Sequence, residues 1–75
     1  MSHKEILAVL TNGKEPSKTN PLPKQCMTIH TADSQKYTTH IRDLNEHTLA
    51  IQFGLGILIL DHENITKIAV SSKPA

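Results

Sequence analysis

The sequence predicts a mostly β fold, with one short N-terminal α-helix followed by a small five-stranded barrel, all in a single domain over residues 1–75. Three observations predict it. From Cys26 onward, β-branched and apolar residues come in short runs separated by turn formers at a spacing of about 8–12 residues. The stretch Phe53 to Leu60 has no polar side chain, and the tetrad Asp61-His62-Glu63-Asn64 divides it from a second β-rich run, Ile65 to Val70. Tyr37 and Phe53 are the only large aromatic side chains, so the core must be built from Ile, Leu and Val, which favour strands.

The helix is expected over residues 1–11. Ser2 stands at the N-cap position, and Glu5 follows three residues on, at capping-box spacing. Ile6, Leu7 and Leu10 form one apolar stripe, and Asn12-Gly13 supplies the stop. A helix this short is marginal alone, so it must dock, and an open barrel end is the natural seat. Residues 13–25 are a linker carrying Pro16, Pro21 and Pro23, each of which lacks an N–H to give to a ladder. Lys14, Lys18 and Lys24 make it the most basic part of the chain, either a solvated loop or an arm that contacts phosphate.

The barrel is expected over residues 26–70. Met27, Ile29 and Thr31 share one side of the first strand, and Ala32 to Gln35 form a turn. In the second strand, Lys36 to Arg42, Tyr37, Thr39 and Ile41 face one way; Lys36, Thr38, His40 and Arg42 face the other. Asp43 to Glu46 break it, and His47 to Gln52 resume with Leu49 and Ile51 on one face. Gly54 and Gly56 suit a turn or a sharp bend. Residues 71–75 are a tail.

A strand that is apolar on both faces needs cover on both, and in so short a chain the second cover comes most readily from a partner copy. Domains of this size are marginal alone and commonly add disulfides, a metal or an oligomeric interface. The single cysteine, Cys26, rules out an intrachain disulfide and reads as a small buried hydrophobe. A formal charge of +1 argues against a surface that is positive throughout, while permitting a local basic patch. No signal peptide and no apolar run of membrane-spanning length is visible, so a soluble, cytoplasmic protein without membrane contact is expected.

Five histidines are many for this length, yet none forms a close ligand pair on a helix. A hairpin can bring His30 and His40 together. No nucleophile–base–orienter set, glycine-rich phosphate loop or acid/base carboxylate pair stands out. No enzyme activity, cofactor or metal is expected.

Leu55 to Ile68 resembles the second motif of the Sm/LSm family, an apolar strand, then Arg-Gly-Asp/Glu-Asn, then another apolar strand. Glu63-Asn64 match it, and Asp61-His62 stand in the Arg-Gly places. Against bacterial Hfq, whose turn ends in Tyr-Lys-His, His62 is the match. Ile41 to Ile51 is similar to the Hfq segment in which Phe-Asp-Gln-Phe precedes an apolar strand, with Leu44, Asn45, Glu46 and His47 in those four places. The resemblance covers about residues 3 to 72, and the layout is nearest to Hfq.

It implies an Sm-like, SH3-like barrel that assembles into a homo-oligomeric ring, a hexamer or heptamer, by pairing the fourth strand of one subunit with the fifth of the next. It implies single-stranded RNA as partner and a role as RNA chaperone or post-transcriptional regulator. The residues it nominates are Asn45, Glu46, His47, Asp61, His62, Glu63 and Asn64. The asparagines would meet base edges, and His47 and His62 would stack on bases. An Asp61 in every subunit would repel phosphate at a pore, which turns attention to Lys36, His40 and Arg42 on the outer face. The alternative is an Sm-fold assembly or protein-interaction module that binds no RNA.

Overall fold

A computed structural model describes residues 1–71 of the chain; the expected tail lies, beyond Ser71, outside the described residues. Helix α1 spans His3–Leu10. Its capping box forms as expected. The Ser2 hydroxyl accepts from the Glu5 N–H at 3.2 Å, and the Glu5 carboxylate accepts from the Ser2 N–H at 3.0 Å. Those two bonds, the Ser2 backbone one first, hold the Glu5 carboxyl below its ordinary range. Ile6, Leu7 and Leu10 are buried, and the Gly13 N–H closes the C-terminus on the Leu7 carbonyl, with Gly13 at a φ of 85°.

Six strands follow: β1 (Met27–Thr31), β2 (Lys36–Thr39), β3 (Ile41–Leu44), β4 (Thr48–Phe53), β5 (Gly56–Asp61) and β6 (Ile65–Val70). They form two three-stranded antiparallel sheets, β2-β1-β6 and β3-β4-β5, rather than one closed barrel. A single 3-10 turn, η1 (His62–Asn64), joins β5 to β6. No helix among the described residues is long and apolar enough to cross a membrane.

The expected second strand, Lys36 to Arg42, is divided at His40, which accounts for six strands in place of five. The cause is a change of neighbour. Lys36 to Thr39 pair with β1, whereas the His40 carbonyl accepts from the Gln52 N–H at 3.0 Å and Ile41 pairs with Ile51 of β4. The Thr39 hydroxyl donates to the Gln52 carbonyl at 2.9 Å and reinforces the handover. The expected break at Asp43 also moves. A bulge lies between Ile41 and Asp43, after which Asp43 pairs with Ala50 and Leu44 with Leu49. Gly54 and Leu55 make the two-residue turn between β4 and β5, with Gly54 at a φ of 59°, where glycine carries no steric penalty.

The core draws on every strand except β2, with two residues from the helix. Ile6, Leu10, Met27, Ile29, Ile41, Leu49, Ile51, Leu60, Ile65 and Ile68 form one buried cluster, and Tyr37 of β2 packs against it. The apolar strand β5 is covered on one side only. Leu60 is buried and Leu58 half-buried, but Ile57 and Ile59 are each 57% exposed. The outer strands are β2 and β6 in one sheet and β3 and β5 in the other; β2 leads into β3 at His40, which leaves β5 and β6 at the two ends.

Candidate functional site

Two loops and the start of α1 meet at one end of the molecule. The β3–β4 turn is built by Asn45, whose Oδ1 accepts from the His47 and Thr48 N–H groups, both at 2.9 Å. The His47 carbonyl then accepts from the His62 N–H at 2.9 Å, which draws η1 against this turn. From the other side, the Met1 ammonium donates to the His62 and Ile65 carbonyls. These contacts enclose an open hollow of about 410 Å³, lined by Met1, Ser2, His3, Glu46, His47, Asp61, His62 and Glu63.

His62 is the floor. It is only 5% exposed, and neither ring nitrogen has a hydrogen-bond partner. Its ring stacks on His3, with centroids 5.4 Å apart and planes 6° from parallel. Burial holds its pKa below the usual histidine value; His3, His47 and the terminal ammonium push it the same way. The Thr48 main chain acts in the opposite sense, without reaching hydrogen-bond geometry. His62 is therefore a neutral imidazole near neutral pH, offering one N–H and one lone pair. The His3 ring is anchored through Nε2, 2.8 Å from the Glu15 carboxylate, and its buried Nδ1 has no partner. Around this floor stand three exposed carboxylates, Glu46, Asp61 and Glu63.

The structure thus brings together five of the seven residues nominated by the two motifs. Asn45 and Asn64 do not line the hollow. Asn45 is engaged in its own turn, and the Asn64 carbonyl accepts from the Ala32 N–H at 2.8 Å. His3 escaped the sequence reading because nothing local links a helix N-terminus to a turn some sixty residues on. Its place beside the capping residue Ser2 was the only hint.

Lys36, His40 and Arg42 do not form one row. The division at His40 leaves Lys36 on β2 and Arg42 on β3, in different sheets. The His40 ring turns to the chain instead, with Nδ1 2.9 Å from the Lys24 carbonyl and Nε2 3.6 Å from Cys26 Sγ. His30 and His40 do not meet across the hairpin. His30 is paired with Lys36 on one side and Lys67 on the other.

That pairing produces a second candidate surface. Lys36, His30 and Lys67 lie in one line across β2, β1 and β6, on the face away from the core. The adjacent line is Thr38, Thr28 and Ala69, with the two hydroxyls 3.3 Å apart. Neither lysine has a carboxylate partner among the described residues. An open cavity of about 330 Å³ lies over Thr28, His30, Lys36 and Thr38, bounded by Ala69, Val70 and Ser71. The two lysines flank His30 with no carboxylate partner among the described residues, so the row is a local basic strip that can seat an anion. Lys67 was missed in the sequence because only the β1–β6 register sets it beside His30, and the β1–β2 hairpin sets His30 opposite Lys36 rather than His40.

No family model, no curated protein and no solved structure matches the chain. Among the described residues, no group of three His, Cys, Asp or Glu side chains is placed to hold a metal ion.

Proposed function

We propose that this chain is a subunit of an Sm/Hfq-like ring that binds single-stranded RNA, serving as an RNA chaperone or post-transcriptional regulator. The strand connectivity supports it. The chain passes from one sheet to the other at His40, giving the continuous run β6-β1-β2-β3-β4-β5 with both ends of the run free to pair. Exposed backbone on β5 and β6 invites another chain, and a ring satisfies such edges without growing a filament. Ile57 and Ile59 on the open face of β5 add apolar area for that contact to bury.

The observation that carries RNA binding is the Lys36–His30–Lys67 row, flanked by the Thr28 and Thr38 hydroxyls. Repeated around a ring, it forms a basic track suited to a sugar-phosphate backbone. The test is titration of labelled A-rich and U-rich single strands at two salt concentrations, with wild type and Lys36→Glu/Lys67→Glu. Salt-sensitive binding that the double variant loses is the expected result. Equal binding by the double variant removes this surface.

A second function, an assembly or protein-interaction module without RNA, is favoured by one observation. The hollow that the motifs would assign to RNA is rimmed by Glu46, Asp61 and Glu63, which repel phosphate. A ring-sized particle that binds neither strand at low salt would establish that alternative.

A further inference from the structure

The hollow at the end of the molecule is at once acidic on its rim and unsatisfied at its floor. Its rim carries the carboxylates of Glu46, Asp61 and Glu63. Its floor is His62, more than nine-tenths buried, with both ring nitrogens lacking partners. Beside it, His3 gives its Nε2 to the Glu15 carboxylate, an acceptor, so that nitrogen carries the hydrogen. The buried His3 Nδ1 has no partner. Buried polar groups are nearly always paired, and the exceptions mark a missing partner.

The missing partner's chemistry follows from the inventory. Three carboxylates only accept, and neutral His62 has one accepting nitrogen whichever tautomer it adopts. The fixed cation at the hollow, the Met1 ammonium, is engaged by the His62 and Ile65 carbonyls. A ligand suited to this site donates in several directions and carries positive charge. A metal ion does not answer, since no three ligating side chains among the described residues are placed for one. A phosphate does not answer either, because it only adds negative charge. A primary ammonium has three donors at one point, whereas the acceptors here are spread over the β3–β4 turn and η1. A guanidinium has five donors in a planar fork and no acceptor. It also stacks well on flat rings, and the two imidazoles lie parallel.

We propose that the hollow is a guanidinium site, holding an alkylguanidinium by the Asp61, Glu63 and Glu46 carboxylates against the unpartnered His62 imidazole and the His3 ring that stacks on it. This site lies apart from the Lys36–His30–Lys67 row and stands whether or not that row binds RNA. The cation has two sources, a free small molecule or the arginine side chain of a peptide, and both present the same fork.

The experiment is titration of the full chain followed by imidazole and backbone nitrogen NMR. Agmatine serves as the free probe, a blocked Gly-Gly-Arg-Gly-Gly peptide as the side-chain probe, and the matching Lys peptide as control. The expected result is saturable shifts at the His62 and His3 rings with a guanidinium probe, and at least several-fold weaker binding of the Lys peptide. Asp61→Asn/Glu63→Gln, two exposed positions outside the core, should weaken the guanidinium about tenfold or more, as expected for lost charge-assisted hydrogen bonds. Glu46→Gln provides an independent variant on the other loop. Agmatine binding as tightly as the peptide supports a small-molecule ligand; binding of the peptide alone supports an arginine supplied by a partner. No saturable shift with either guanidinium, an equal response to the Lys peptide, or full binding by both carboxamide variants would overturn the proposal.

Discussion

Replacing Ile57 and Ile59 together by Ser tests whether the open face of β5 is an association surface. Each side chain is 57% exposed in the single chain, so just over half of its surface remains to be covered. Full burial of an isoleucine is worth about 1.5–3 kcal/mol, which leaves about 1.2 kcal/mol per residue and about 2.5 kcal/mol for the pair at each subunit contact. That corresponds to a loss on the order of 50-fold in the association constant per contact. Neither residue belongs to the buried cluster, so the thermal unfolding of the separated chain should change little. Sedimentation velocity over a dilution series reads the outcome. Wild type should sediment as a ring-sized particle, and the double variant should dissociate at markedly higher concentration. Wild type sedimenting as a monomer throughout, or a variant with an unchanged mass distribution, would refute the reasoning.

The basic row predicts a salt signature. Reversing Lys36 and Lys67 should reduce the slope of log affinity against log salt for single-stranded RNA by about 0.7 for each lost phosphate contact. His62 predicts an acid sensitivity. Its folded pKa lies below the ordinary 6.5, so as pH falls through that value the unfolded chain takes up the proton first and stability declines toward the folded pKa. His62→Phe should remove that component from urea unfolding curves between neutral and mildly acidic pH; an unaltered pH slope would refute the buried neutral imidazole. Ser2→Ala should cost about 1 kcal/mol by opening the capping box, seen as a lower midpoint in thermal melts. A change no larger than that of an exposed control such as Lys18→Ala would contradict it.

Local features of the fold were legible because local chemistry decides them. The Ser2–Glu5 capping box, the Gly13 stop and the Gly54-Leu55 turn depend on residues within a few positions of one another. The alternation of Met27, Ile29, Leu49 and Ile51 named core positions correctly. The division at His40 was not legible, since Lys36 to Arg42 alternates without a break and nothing in it announces that the chain changes partners there. Continuous apolarity from Phe53 to Leu60 concealed the turn at Gly54-Leu55, which only the glycines marked, while beyond it β5 does carry apolar residues on both faces, Ile57 and Ile59 being the exposed ones. At the hollow, motif positions pointed to Glu46, His47, Asp61, His62 and Glu63, which do converge. Asn45 and Asn64 stood in the same motifs, but neither lines the hollow; the Asn45 side chain is taken up by its own turn, and residue type alone cannot separate a turn-builder from a ligand group. His3 and Lys67 depend on long-range register, which no window of sequence contains.

The His40 corner has a practical corollary. One imidazole fastens the exit of the proline-bearing segment to the sheet junction, and the sulfur of Cys26 sits against the far nitrogen of the same ring. Cys26 is half-buried and its contact with the ring lies at the surface, so a maleimide on that sulfur reports what this one contact adds to holding the segment down.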